Sequence, residues 1–107
     1  MIKSKFLAVG VMSGTSMDGI DISLILSDGK KSNKHIKSKF YSYKKSTKTT
    51  LSKLVDSFTV SKHTLALLRG AEELVTFEYI AALKKFLKDE NLSKIDLIAL
   101  HGQTIFH

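Results

Sequence analysis

The stretch that decides the fold of this protein is GVMSGTSMDGID, which occupies residues 10–21. It starts within a continuous apolar run, Phe6 to Met12, and such a run predicts a strand buried on both faces of a sheet. A turn rich in glycine and hydroxyl side chains follows at residues 13–19. Polar and apolar residues then alternate at the start of Ile20 to Leu26, which predicts a second strand. We therefore expect a hairpin-like pair of strands around a polar loop.

The remaining sequence predicts one more strand, two helices and a final strand. After a turn at Asp28-Gly29, His35 to Tyr43 reads as a third strand, less apolar and so nearer a sheet edge. A short helix is predicted from about Ser46, a longer one from about Thr64 to Lys88, and a strand over Ile95 to Leu100. The order βββααβ predicts an α/β protein with a mixed sheet and helices packed on it.

Apolar residues at helical spacing mark the buried faces of both helices. Gly70 interrupts the longer helix and predicts close packing there, and Asn91 is expected to end it. The predicted buried positions are Leu51, Leu54, Val55 and Phe58 in the first helix, and Leu68, Ala71, Val75, Tyr79, Ala82 and Phe86 in the second.

Composition places the chain among ordinary globular proteins. Its 107 residues, 43% of them hydrophobic, suffice for one domain or part of one with a modest core. The absence of cysteine excludes a disulfide framework and a thiolate metal site. The first apolar run is short for a signal peptide, and no stretch is long enough to span a bilayer. We expect a cytoplasmic protein with no membrane partner.

The net charge of +7 comes mainly from residues 30–62, where ten lysines accompany a single acid, Asp56. Clustered lysines attract phosphates, so a non-catalytic basic domain that binds polyanions is one interpretation. Arg69 is the only arginine, and the bidentate group that reads bases is therefore nearly missing. We expect a solvated lysine-rich face and no specific nucleic-acid partner.

The loop after the first strand has the residues that phosphate binding requires. Glycine leaves room for the backbone, and successive amides in a turn make an anion-binding nest. Hydroxyls from Ser13, Thr15 and Ser16 add donors, and Asp18 or Asp21 could position Mg²⁺ through water. No Gly-Lys-Ser/Thr follows, so this is not a P-loop. A polar hairpin turn without a ligand would have a similar composition.

The end of the last strand has a second polar turn, HGQT at residues 101–104. Ligand sites in α/β sheets gather beyond the carboxyl ends of strands. Gly102 would let the chain turn sharply, and Gln103 and Thr104 offer donors and acceptors suited to sugar hydroxyls. From these residues alone, an ordinary strand-to-loop turn with a satisfied His101 is the other interpretation.

Both motifs resemble signatures of the anhydro-N-acetylmuramic acid kinase family. The strand–turn–strand unit is similar to the first phosphate motif of the actin-like and sugar-kinase ATPases, and GVMSGTSMDGID is similar to this family's opening signature. HGQTIFH, residues 101–107, resembles its second signature, in which Trp is common at the position of Phe106. Many superfamily members have aspartate where this chain has Met12, and the family shares that departure.

The resemblance implies part of an actin-like, ribonuclease H-like ATPase domain. It implies a kinase that uses ATP and Mg²⁺ to open and phosphorylate 1,6-anhydro-N-acetylmuramic acid, and a full-length protein expected to form a homodimer. Asp18 is the first choice for the metal, through water. The residues implied to contact the ATP phosphates are Gly14, Thr15, Ser16, Met17, Asp18, Gly19, Ile20 and Asp21. Those implied to lie near the sugar are Ser13, His101, Gly102, Gln103 and Thr104.

Members of the family are two-domain proteins several times longer than this chain. Residues 1–107 would be the N-terminal part of the first domain, and the rest of that domain and the whole second domain would be missing. We expect the general base in the missing sequence, and therefore no kinase activity from these residues alone. We also expect marginal stability or association, because a partial sheet exposes its edges.

Overall fold

The computed structural model describes residues 4–56 and 62–105, without the side chains of Lys62 and His63. Its element order, βββααβ, confirms the predicted order. The predicted positions Phe58, Phe106 and His107 lie outside the described residues. The elements are β1 (Phe6–Ser13), β2 (Gly19–Ser27), β3 (Asn33–Ser42), α1 (Lys45–Asp56), α2 (Lys62–Asp89) and β4 (Leu97–Gln103).

The four strands form one mixed sheet in the order β3-β2-β1-β4. β1 and β2 are antiparallel, as are β2 and β3, whereas β4 joins β1 in parallel. This confirms the α/β fold with a mixed sheet, and it is consistent with part of an actin-like ATPase domain. It also confirms that β3 lies at an edge, as its polar sequence predicted.

The core lies on one face of the sheet. Val9 and Val11 of β1 are 0% and 2% exposed, and they stand beside Leu24 and Ile22 of β2. Phe86 of α2 belongs to the same buried cluster. The other core members are Ile20, Tyr43, Leu51, Leu54, Ala71 and Ala82.

The opposite face of the sheet is open, which corrects one prediction. β1 was expected to be buried on both faces, but Met12 is 48% exposed and Phe6 is 38% exposed. Successive side chains of a strand point to opposite faces. In the described parts of the chain, the side chains of α1 and α2 that join the buried cluster meet the Val9 and Val11 face, and no helix covers the Met12 face.

The long helix α2 ends at the predicted place, but the environment of Gly70 differs from the prediction. Asn91 has a left-handed backbone with φ of 52°, and the amide of Leu92 donates a 2.9 Å hydrogen bond to the carbonyl of Leu87. This pattern closes a helix by satisfying its last carbonyls. Gly70 was predicted to mark close packing, and that was wrong: it is exposed, and a methyl group there would meet nothing within 4 Å.

The two sheet edges have opposite chemistry. β3 is exposed along residues 33–40 and carries Lys34, Lys37 and Lys39. On β4, Leu97 and Leu100 are 58% and 65% exposed. Lysines discourage edge pairing, whereas an apolar edge invites it. Across both described stretches, every helix is too short or too polar to cross a lipid bilayer.

Candidate functional site

The loop between β1 and β2, residues 14–18, presents backbone amides to solvent. One internal hydrogen bond closes it, from the amide of Met17 to the carbonyl of Gly14 at 3.2 Å. Met17 itself has φ of 56°, in the left-handed region. Within the described residues, the amides of Gly14, Thr15, Ser16 and Asp18 donate no hydrogen bond. Successive free amides in a turn are the groups from which an anion-binding nest can form.

The two glycines of the loop serve different purposes. A methyl group at Gly14 would meet nothing within 4 Å, so space there is open for a ligand. A methyl group at Gly19 would overlap the carbonyl oxygen of Tyr41 and lie 2.8 Å from the Cα of Ser42. Gly19 is therefore needed for the close approach of β2 to β3, whereas Gly14 leaves room beside the amides.

Ser13, at the start of the loop, is buried among hydroxyl groups. It is 1% exposed, and its Oγ lies 2.7 Å from Oη of Tyr43 and 2.8 Å from Oη of Tyr79. Neither tyrosine was among the predicted site residues. Tyr43 was read as the end of a strand and Tyr79 as part of an apolar stripe, and periodicity alone does not show which residue a buried hydroxyl will meet.

Gln103 connects the β4 turn to the loop. Its Nε2 donates 2.7 Å hydrogen bonds to the carbonyl oxygens of Gly14 and Thr104, and its Oε1 accepts a 3.0 Å hydrogen bond from Oη of Tyr43. These bonds fix the amide's orientation, because the opposite one would set Oε1 against two carbonyls. The two sequence motifs thus meet at the carboxyl ends of β1 and β4.

The other residues of the β4 turn are placed differently. His101 is exposed, with Nδ1 at 2.9 Å from the carbonyl oxygen of Gly102, and its own carbonyl accepts a 2.7 Å bond from Tyr79. Gly102 was expected at a sharp turn, but β4 continues through it to Gln103. The strand extends because Gln103 still pairs with Ser13, after a register shift in which Val11 to Ser13 covers two positions of β1 and Leu100 to Gln103 covers three positions of β4.

The two carboxylates near the loop lie in different settings. Asp18 is an exposed residue of the loop itself. Asp21 is exposed on β2, across from Met12, and it lines a shallow cavity of about 330 Å³ with His101 on the open face. Ile20, which lies between these two carboxylates in sequence, was also predicted to contact the ATP phosphates. Its side chain is 1% exposed on the core face, so only its backbone is available to a ligand.

The acidic residues near the loop do not form a cluster of metal ligands within the described parts of the chain. The described residues contain no group of three or more His, Cys, Asp or Glu side chains that could hold a metal. Mg²⁺ commonly takes one or two carboxylates, with water and substrate phosphates completing its shell. The exposed carboxylate of Asp18, beside the free amides of the loop, fits this requirement.

Burial raises the pKa values of both tyrosines in the hydroxyl network. Removal from water raises the pKa of Tyr43 to about 12, although the bond to Ser13 opposes this shift. The pKa of Tyr79 is raised for the same reason, with Ser13 and Tyr43 opposing. Tyrosine hydroxyls are hydrogen-bond donors at neutral pH in any case, and the upward shift extends this to more alkaline solution.

Comparison with known proteins identifies the family of this sequence. The sequence profile of the family described as anhydro-N-acetylmuramic acid kinase matches residues 6–107. The chain is 37% identical to an anhydro-N-acetylmuramic acid kinase of Zymomonas mobilis, over 94% of this chain and 30% of the relative. It is 37% identical to one of Brucella canis, over 94% of this chain and 28% of the relative. It is 32% identical to one of Pelagibacter ubique, over 95% of this chain and 28% of the relative.

These 107 residues span less than a third of the length of the curated relatives they match. The matched region nevertheless contains both sequence motifs and the contacts that join them. The chain belongs to the anhydro-N-acetylmuramic acid kinase family.

Proposed function

We propose that this chain supplies the phosphate-binding part of a kinase that acts on 1,6-anhydro-N-acetylmuramic acid. The observation that carries the proposal is the hydrogen bond from Gln103 to the carbonyl of Gly14, which joins the two family motifs. This hydrogen bond connects the loop, with its free amides, to the polar β4 turn. Phosphoryl transfer is mostly positioning and charge stabilisation, and this arrangement would set a phosphate donor beside a sugar acceptor.

In the proposed reaction, water opens the 1,6-anhydro bond, and the γ-phosphoryl group of ATP is transferred to O6 of the sugar. The product is N-acetylmuramic acid 6-phosphate, and the setting is peptidoglycan recycling in the cytoplasm. The loop from Gly14 to Asp21 would hold the ATP phosphates through its amides and hydroxyls. Mg²⁺, bound near Asp18 through water, would neutralise phosphate charge. Ser13 and the His101 to Thr104 turn would lie near the sugar.

The general base is not assigned to any residue of this chain. We propose that residues 1–107 are the N-terminal part of the first of two domains, and that the base lies in the remaining length of the whole protein. The cavity of about 340 Å³ between α1, α2 and the end of β4 is lined by Leu54, Leu68 and Val75, with Gln103 among its polar members. It opens beside the proposed sugar turn and offers an apolar wall there.

The test is a pyrophosphate titration of the chain at two salt concentrations. Gly14→Val should weaken binding about tenfold or more, because its side chain fills the open space beside the free amides. A Lys34→Gln, Lys37→Gln double variant is the matched control, since these exposed lysines lie on the far edge of the sheet. It should bind pyrophosphate almost as the parent chain does.

The opposite pattern would replace the proposal with the polyanion-binding interpretation. In that case the lysine variant would lose most of the affinity, the glycine variant would lose none, and binding would fall steeply with salt.

A further inference from the structure

Tyr43 contacts the phosphate loop at both of its ends. Its hydroxyl lies 2.7 Å from Oγ of Ser13, where the loop begins. Its backbone amide donates a 2.9 Å hydrogen bond to the carbonyl of Asp18, where the loop ends. Tyr43 is 3% exposed and belongs to the core cluster, so its position is set by packing rather than by the loop.

The same hydroxyl also reaches the β4 turn. It donates a 3.0 Å hydrogen bond to Oε1 of Gln103, whose Nε2 returns to the loop at the carbonyl of Gly14. One tyrosine hydroxyl is thus connected to the loop twice, directly through Ser13 and indirectly through Gln103. Tyr79 approaches Ser13 from α2, and in the turn its hydroxyl donates to the carbonyl of His101 and not to Gln103.

A count of the hydroxyl protons shows that the two tyrosines contribute differently to holding the loop. Ser13, Tyr43 and Tyr79 have one hydroxyl proton each, yet these hydroxyls take part in four contacts: Ser13 with each tyrosine, Tyr43 with Gln103, and Tyr79 with His101. Three protons cannot serve four contacts at once. Without the Tyr79 hydroxyl, Ser13 donates to Tyr43 and Tyr43 donates to Gln103, so the contacts that hold the loop remain complete.

We propose that Tyr43 is the positioning residue of the phosphate loop: it holds both loop ends against the core and fixes the loop relative to Gln103. Its relevance to phosphoryl transfer rests on the proposed function, because a fixed distance between loop and turn would set the phosphate donor against the sugar. The claim that Tyr43 positions the loop depends only on the contacts of Tyr43 itself. Neither sequence motif contains this residue.

The experiment measures backbone order by ¹⁵N relaxation and pyrophosphate affinity in three variants of the chain. Tyr43→Phe keeps the ring and the backbone amide but removes the hydroxyl. Tyr41→Phe is the matched control, since it deletes a buried hydroxyl that has no hydrogen-bond partner among the described residues. Tyr79→Phe deletes a hydroxyl of the same network that does not reach Gln103.

In Tyr43→Phe we expect the order parameters of the loop amides, residues 14–18, to fall from about 0.85 to below about 0.6. Pyrophosphate affinity should fall about fivefold, which corresponds to the loss of one ordinary hydrogen bond. Tyr41→Phe and Tyr79→Phe should leave both quantities near those of the parent chain. Equal loop order in Tyr43→Phe and Tyr41→Phe would overturn the proposal, as would the same loosening in Tyr79→Phe.

Two further outcomes keep the test decisive. If the parent chain does not bind pyrophosphate, the proposed function fails, and the order parameters still decide whether Tyr43 positions the loop. If Tyr43→Phe does not fold, Ser13→Ala removes the direct link and leaves the one through Gln103. That variant should lower the order parameters at Gly14 and Thr15, and unchanged values there would overturn the proposal.

Discussion

The side-chain amide of Gln103 donates a 2.7 Å hydrogen bond to the backbone carbonyl of Gly14, across 89 positions of sequence. This contact exists because β4 lies parallel to β1, so the carboxyl ends of both strands reach the same edge of the sheet. Sites in α/β folds form at such an edge because loops from neighbouring strands meet there. The loop at residues 14–18 and the polar β4 turn are therefore one structural unit.

Replacing Gln103 by glutamate should disrupt that unit. A carboxylate offers only acceptors, and here it would face the carbonyls of Gly14 and Thr104. We expect Gln103→Glu to lower the free energy of unfolding by about 1–3 kcal/mol at neutral pH, measured by urea denaturation. His101→Gln, at an exposed neighbouring position, should change it by less than about 0.5 kcal/mol. Equal stability of the two variants would show that the contact contributes nothing.

Alanine at the two loop glycines should have opposite effects. Gly14→Ala should fold with the stability of the parent chain, because its methyl group enters open space, but it should weaken pyrophosphate binding. Gly19→Ala should lower the unfolding free energy by about 1–3 kcal/mol, since overpacking against the β3 backbone forces a shift. Thermal denaturation and titration of both proteins check this, and an unaffected Gly19→Ala would contradict the close approach of β2 to β3.

Alkaline pH should destabilise the fold through its tyrosines. Burial raises the pKa of Tyr43 from 10.0 to about 12, so below pH 10 both states keep the proton. Between pH 10 and 12 the unfolded state releases it first, and stability is lost at up to about 1.4 kcal/mol per pH unit. Urea denaturation across this range should show the decline, and Tyr43→Phe should make it shallower.

Ultraviolet absorbance offers an independent check on that prediction. The chain has three tyrosines and no tryptophan, and burial raises the pKa of each tyrosine. A titration midpoint near pH 10 for all three, with unchanged circular dichroism, would contradict the buried network.

Removing the hydroxyl of Tyr41 should not destabilise the protein. This hydroxyl is buried without a hydrogen-bond partner in the described parts of the chain, and such a group costs about 1–3 kcal/mol in desolvation. We expect Tyr41→Phe to melt at the same temperature as the parent chain or a few degrees higher, by circular dichroism. Tyr43→Phe provides the contrast, because its hydroxyl has two partners and its removal should lower the melting temperature.

The apolar edge strand should make this chain associate. Leu100 is 65% exposed on the edge strand β4. Residues 97–100 of this strand are all apolar, so no charged side chain there discourages pairing with another chain. We expect concentration-dependent sedimentation, and we expect Leu100→Lys to reduce it. Phe77→Lys is the matched control, because Phe77 is 68% exposed on α2, away from the edge. A parent chain that sediments as a monomer at every concentration would contradict this.

Local sequence predicted the elements well, because a strand or helix is specified by the spacing of its own residues. The polar third strand was expected at an edge and lies there, and Asn91 ends the long helix as expected. Gly70 and Gly102 were misread, because a glycine shows that the backbone has freedom but not whether a neighbour uses it. The open face of β1 was also missed, since an apolar run does not reveal which side a helix will cover.

What the sequence determined by itself was the pair of motifs, the order of elements around them and the family to which they belong. Only the tertiary structure decided how the motifs are joined. Ser13 lies 30 positions from Tyr43 and 66 from Tyr79, and no local pattern records such distances. Strand order and helix packing bring those hydroxyls together, and burial favours such contacts because a buried polar group without a partner costs free energy.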